Sequence, residues 1–357
     1  MWLLHREMER AWRSAWELLL VRSTQQAVFA KGATMKAIHP SVPVSLQTAV
    51  WRWLGQFTVG TSSEGDLAPE TRAYLSRSNP VLVDLKRRYA AAGGPEHSFW
   101  SFWEAKVDLC KFRGESDYLS QAYFKDTLKR YELTSIYVEM IDTDGWLRRL
   151  SEDRLFGVKI WSVLPGVPVT RDLLDSIIEL HFLKEELGWK ETDRLRVLDI
   201  GAGYGRFAHR LVQLFPLGQV DCIDAIATST FLCQFYLEFR QSDARAHVVP
   251  FDKRSELKSG AYSLAVNIHS WSECTLSFVR EWLGYLRDLR VPYLFIVPHH
   301  DDLTTREADG SSTCYLDEMR RHGFVLVQKQ RKFARSTEVD RCGVFPTNYY
   351  LFRARQR

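Results

Sequence analysis

Residues 197–206 read Val-Leu-Asp-Ile-Gly-Ala-Gly-Tyr-Gly-Arg, and the fold follows from this run. An apolar strand ends at Asp199, and Gly201, Gly203 and Gly205 follow at alternate positions. A helix-patterned stretch, Arg206 to Val212, comes next. Glycines at such a turn let the backbone approach a ligand and adopt conformations that a side chain forbids. A dinucleotide site wants G-x-G-x-x-G, with a last glycine for close helix–strand contact. That position is the bulky Arg206 here, and an acid two places before the first glycine is foreign to the dinucleotide pattern.

Outward from this run the chain alternates strands and helices. Strands are expected at 195–200, 219–224, 246–251, 262–269, 292–298, 323–331 and 347–354. Helices are expected at 205–214, 228–241, 275–289 and 312–321, preceded by one at 171–187 with Thr170 as N-cap and Gly188 as its stop. Such alternation implies an α/β fold, a mainly parallel sheet with helices on both faces. The last two strands follow one another with no helix expected between them, so they should form an antiparallel hairpin.

Before residue 165 the pattern is helical, over 2–30, 44–58, 68–76, 80–92, 97–112, 117–132 and 134–150. At 357 residues the chain suits two domains. The expected partition is an N-terminal helical domain at 1–165, serving as lid, substrate or oligomerisation unit, and an α/β domain at 166–357. Net charge is only +4 with both signs mixed, so nothing demands nucleic acid as a partner. The basic residues near Lys329, Arg331, Lys332 and Arg335 read as a solvated face. Six scattered cysteines without C-x-x-C spacing argue against a zinc ribbon and for a reducing, cytoplasmic setting. Charges at His5, Arg6, Glu7, Glu9 and Arg10 interrupt any leader, and no apolar run is long enough to span a bilayer.

The run at 197–206 resembles motif I of the class I S-adenosylmethionine-dependent methyltransferases, an acid followed by G-x-G-x-G. The resemblance implies a seven-stranded Rossmann-like methyltransferase sheet with an antiparallel last strand, and S-adenosyl-L-methionine as cofactor. Its candidate binding residues are Asp199, Gly201, Gly203, Tyr204, Gly205, Asp224, Ala225, Phe251, Asp252 and Asn267. Asp224, ending the second strand, lies at the distance expected of an acid that accepts from both ribose hydroxyls. Asp252 is a candidate acceptor for an adenine amino group or a turn cap, and Phe251 a candidate platform for the ring.

A methyl on a sulfonium is already activated, so the protein must align a nucleophile and remove its proton. Candidate bases stand at the ends of the next two strands: His269 first, with Glu273 as partner or substrate ligand, then His299 and His300. Asp301, Asp302 and a histidine are a minority option for Mg²⁺; the favoured reading has no metal. Asn267-x-His-Ser-Trp-Ser-Glu is similar to a segment of the sugar O-methyltransferases of bacterial glycan and natural-product clusters, as are Arg113-Gly114-Glu115-Ser116-Asp117-Tyr118 and Asn348-Tyr349-Tyr350-Leu351-Phe352. The resemblance covers roughly 97–357 and implies O-methylation of a sugar or glycosylated metabolite. Candidate acceptor ligands are Arg113, Asp117, Tyr118, Trp271 and Asp301, while Arg113 and Asp117 read equally as an exposed i,i+4 pair. Two other readings stay open: methylation of a non-sugar small molecule such as a polyketide or phenol, and a non-catalytic cofactor-binding protein for regulation or assembly. A homo-oligomer is also left open.

Overall fold

The computed structural model describes residues 67–92, 104–114, 118, 126–164 and 166–355. The helices expected at 2–30 and 44–58 lie outside them. The described elements begin with α1 (Pro69–Tyr74), α2 (Pro80–Ala91), α3 (Thr127–Ile141) and α4 (Trp146–Arg149), then a hairpin of β1 (Trp161–Leu164) and β2 (Val167–Val169). The alternating part follows: α5 (Arg171–Leu187), β3 (Arg196–Ile200), α6 (Arg206–Leu214), β4 (Gln219–Ile223), α7 (Ala227–Phe239), β5 (Ala246–Val248), β6 (Leu264–Ile268), α8 (Leu276–Asp288), β7 (Tyr293–Val297), α9 (Leu316–Arg321), β8 (Phe324–Arg331), α10 (Thr337–Cys342) and β9 (Asn348–Ala354).

The seven strands from β3 onward form one sheet in the order β5-β4-β3-β6-β7-β9-β8. Pairings from β5 through β7 are parallel, while β9 runs antiparallel to both β7 and β8. This is the expected Rossmann-like sheet with its reversed last strand. Successive residues on a strand face opposite sides. Val197 accordingly joins the core shared with α3, α5 and α6, and Leu198 the core shared with α2, α7 and α8. The strand order reverses at β3, between β4 and β6, which opens a crevice beyond the carboxyl ends of these strands.

Helix α5 has the boundaries its caps predict: Thr170 Oγ1 accepts from Leu173 N at 3.1 Å, and Gly188 turns left-handed at φ 65°. Other expectations are corrected. The chain between β8 and β9 carries α10, whose Ser336 cap accepts from Val339 N. The helices expected at 117–132 and 134–150 are instead α3 and the short α4, parted where Asp142 accepts from Trp146 N and Leu147 N and Gly145 takes φ 70°. The described residues of the aromatic stretch, from 104 onward, form turns rather than a helix. Lys332 is not solvated: it is buried, donating to Asp175 Oδ1 at 2.6 Å and to Val344 O.

Candidate active site

The glycine turn closes on the end of β4. Gly201 N donates to Ile223 O at 2.8 Å, and Gly203 N donates to Asp224 Oδ2 at 3.0 Å. Ile226 N donates to the other oxygen, Asp224 Oδ1, at 2.8 Å. Each oxygen still keeps a lone pair for a hydroxyl donor. Burial, ahead of Glu273 and Glu104, raises the Asp224 carboxyl to about 7. Gly201 and Gly203 sit at φ 70° and 58°, in the left-handed region. A Cβ on Gly201 would lie 2.5 Å from Ser270 Cβ, with Ser270 Oγ nearer still, and one on Gly203 would lie 3.0 Å from the Tyr118 ring. The turn is thus lined with glycine where neighbouring walls leave no room for a side chain.

Asp199 is buried beside this turn, and its Oδ2 has no hydrogen-bond partner among the described residues. Burial pushes its carboxyl up to about 7; Asp224 and Glu179 raise it further, and Arg206 opposes them. An orphaned carboxylate oxygen of this kind fits a cationic group in the cleft, because burial without a partner is costly. Arg206 itself is anchored: it donates from both terminal nitrogens to the Glu179 carboxylate, at 2.8 and 3.1 Å. The residue that departs from the dinucleotide pattern therefore ties the glycine turn to α5.

Arg113 does not reach the cleft. It is buried, donating to Asp172 at 3.0 Å, Asp153 at 3.1 Å and Glu152 at 2.7 Å. Asp172 also accepts from Tyr204 Oη at 2.5 Å. Burial opposes ionisation of Asp172, yet the Arg113 guanidinium and Tyr204 hydroxyl hold its carboxyl below the usual range. Arg113 thus braces the glycine turn from behind through Tyr204. Asp117 lies outside the described residues.

The opposite wall comes from the ends of β6 and β7. Asn267 Nδ2 donates to Ile200 O at 2.9 Å and to Ser270 Oγ at 2.6 Å, and its Oδ1 accepts from Trp271 N at 3.1 Å. These bonds stitch the β6 turn to the glycine turn. His269 takes φ 70°, a strained value for a side-chain-bearing residue and of order 1–3 kcal/mol in cost. That conformation lays its ring on His299, with centroids 4.7 Å apart and planes 18° from parallel. Burial first, then His299 and the cations Arg171, Arg206 and Lys332, hold His269 well below the ordinary histidine value, so its ring is neutral.

Glu273 turns to His299 rather than to His269. His299 Nε2 stands 2.8 Å from Glu273 Oε1, and His299 N donates to Ser272 Oγ at 3.1 Å. A carboxylate only accepts, so the neutral imidazole carries its hydrogen on Nε2 and keeps the lone pair on Nδ1. The arrangement can take a proton at Nδ1 while Glu273 orients the ring and stabilises the charge that forms.

One cleft joins these walls. Asp199, Gly201, Gly203, Tyr204, Asp224, Ala225, Tyr118, His269, Trp271, Glu273 and His299 all line it. It holds about 1070 Å³ of space, open solvent included. Gly205 stands one step behind, at the start of α6, where a Cβ would meet Cys233 Sγ at 2.9 Å. Phe251 and Asp252 are not brought to it: Phe251 is buried against Tyr89, and Asp252 lies 3.6 Å from Arg88. His300 and Asp301 are exposed in the turn after β7, and Asp301 pairs with Arg331. Asp302 lies 3.9 Å from Lys329, and no cluster of three metal-ligating side chains occurs among the described residues.

Sequence reasoning missed several lining residues. Phe278 and Trp282, one helical turn apart on α8, wall one end of the cleft, and Cys274 and Ser229 also line it. The α8 spacing was legible, but nothing local says which way that face points. Tyr118 Oη lies 3.0 Å from Ser229 Oγ, and Glu104 accepts from Thr228 N and Oγ1 at the start of α7. Tyr118, from the part of the chain before the sheet, therefore contributes to the lining of the cleft.

No family model matches the chain, and no curated protein matches it. Among solved structures, it is similar to the 1,6-didemethyltoxoflavin-N1-methyltransferase of Burkholderia thailandensis at 13% identity and TM-score 0.38, over 84% of this chain and 96% of that one. A SAM-dependent methyltransferase from Aquifex aeolicus matches at 14% identity and TM-score 0.36, over 48% and 88% of the two chains. The mitomycin 7-O-methyltransferase MmcR matches at 13% and 0.36, over 51% and 57%. At these scores the likenesses add nothing to what the sheet order shows by itself. Fold and cleft define a Rossmann-like α/β protein with a cleft at its switch point.

Proposed function

We propose that this chain is an S-adenosylmethionine-dependent O-methyltransferase acting on a hydroxyl of a sugar or glycosylated metabolite. The observation that carries the reading is the meeting, in one cleft, of the glycine turn with Asp224 on one wall and the His299–Glu273 pair on the other. Asp224 would hold the ribose hydroxyls, and the orphaned Asp199 Oδ2 would face the ammonium. The cofactor, when bound, supplies a methyl group on a positively charged sulfur. His299 Nδ1 takes the acceptor hydroxyl's proton, and Glu273 steadies the imidazolium. His269, neutral beneath His299, is a second hydrogen-bonding group for the acceptor. The sugar assignment is supported by the Asn267–Glu273 and Asn348–Phe352 resemblances.

The partition at 165 belongs to the same proposal, with the part before it serving as lid, substrate or oligomerisation unit; Tyr118, from that part, lies 3.0 Å from a Cβ built on Gly203. A cytoplasmic setting belongs to that proposal as well; no described helix is long and apolar enough to cross a membrane.

The test is calorimetry with S-adenosylmethionine and S-adenosylhomocysteine, followed by methyl transfer to a panel of sugar, phenol and polyketide hydroxyls. Uptake of both molecules and turnover on sugars support the reading. Turnover on phenols alone would move the substrate class. Binding with no turnover on any acceptor would favour a regulatory or assembly role.

A further inference from the structure

The turn that presents His299 is exposed from His299 to Asp302, yet its carbonyls are held from beneath by buried side chains. Thr347 Oγ1 shares its proton between Pro298 O and His300 O, each at 3.0 Å. Asn348 Nδ2 and Tyr350 Oη both donate to Asp301 O, each at 2.6 Å. Three carbonyls around His299 are thus fixed by three side chains, from Thr347 and from the first residues of β9. Thr347, Asn348 and Tyr350 are all less than a tenth exposed.

We infer that Thr347, Asn348 and Tyr350 form a positioning clamp that sets the ring of His299 against Glu273. The inference rests on the proposed role of His299. It gives the Asn348-Tyr349-Tyr350 motif a physical reason: Asn348 and Tyr350 share one strand face and converge on one carbonyl, while Tyr349 packs on the other face against Phe182 and Phe295. The clamp acts from the side of the turn opposite Ser272 and Glu273. His299 is therefore held on both sides, through the neighbouring carbonyls of Pro298, His300 and Asp301 and directly at its backbone N and its ring Nε2. A base on a loop works only when a supporting shell fixes it to within a fraction of an ångström.

The clamp predicts a change in His299 without a change in the cofactor wall. With ¹⁵N-histidine labelling, exchange of the His299 Nε2 hydrogen with water reports its bond to Glu273, and a His299→Asn variant identifies the signal. In Thr347→Val and in Tyr350→Phe, which loses only a hydroxyl, that exchange should quicken at least tenfold. S-adenosylhomocysteine affinity should stay within twofold of the parent, and Thr347→Ser should restore slow exchange. Parent-like exchange in both folded variants would overturn the clamp. If Thr347→Val does not fold, Tyr350→Phe decides alone. Failure of the unaltered protein to bind S-adenosylhomocysteine would instead sink the cofactor reading, leaving the exchange measurement still readable.

Discussion

Gly201 and Gly188 share nearly the same backbone conformation, φ 70° and 65°, but only Gly201 is crowded. No heavy atom lies within 4 Å of a Cβ built on Gly188, whereas one built on Gly201 lies 2.5 Å from Ser270 Cβ. An L-residue in the left-handed region costs about 1–2 kcal/mol, and that is the whole expected effect of Gly188→Ala. Gly201→Ala bears the same cost plus overpacking of about 1–3 kcal/mol, because Ser270 is pinned by Asn267. The expected total is about 2–5 kcal/mol. Urea unfolding of the ligand-free protein, followed by tryptophan fluorescence through a single transition with unchanged m, gives both values. Ser270→Gly removes the colliding atoms, so the Gly201→Ala/Ser270→Gly pair should show a coupling of about 1–3 kcal/mol in a double-mutant cycle. Equal losses for the two glycines, or an additive cycle, would show that the β6 turn yields freely and that the close approach in the cleft is not a constraint.

Arg206→Met should cost about 3–5 kcal/mol, since it leaves the buried Glu179 without its guanidinium; Arg206→Met/Glu179→Leu should recover much of this in the same denaturation assay. Asp199 binds its proton more tightly in the fold, near 7, than unfolded at about 3.9. Ligand-free stability should therefore fall as pH rises from about 4 to 7, and Asp199→Asn should exceed the parent at pH 8 by on the order of a few kcal/mol, with the advantage gone near pH 4. Unfolding midpoints at the two pH values check the sign. On an active acceptor, His299→Ala and Glu273→Gln should each lower kcat by about 10²–10⁴-fold. Cofactor affinity measured by calorimetry should be unchanged; a comparable loss in affinity would count against the assignment.

The parallel strands were legible because buried parallel strands are nearly continuous apolar runs; six of the seven strands begin and end within two residues of their expected positions, while β5 stops at Val248, three residues short of the expected 251. Helix α5 was legible through Thr170 and Gly188. The short α10 was not, because its turn and a half carries too weak a periodicity, although Ser336 marked its start. The β1–β2 hairpin was not expected, since only Pro165 and Pro168 punctuate that stretch of the sequence. The wall formed by the glycine turn and Asp224 could be read because its residues are contiguous at the ends of two strands. The His299–Glu273 pair could not: Glu273 stands four positions after His269, which reads as a natural partnership. His269 breaks the local geometry with a positive φ, and Glu273 meets a histidine 26 positions later. Arg113 was misplaced for a similar reason, since its partners at 152, 153 and 172 come together only in three dimensions.

Strand β9 is made after β8 yet lies inside it, hydrogen-bonded to β7 on one side and β8 on the other. During synthesis the sheet must therefore keep a gap beside β7 until residues 348–354 emerge, with β8 waiting for a neighbour it does not yet have. Closing that gap fills the unpaired edge of β7 and brings Thr347, Asn348 and Tyr350 under the His299 turn in the same event. Completion of the sheet and support of the His299 turn thus coincide, and a ribosome-bound chain stalled short of β9 would carry the glycine turn without a held His299.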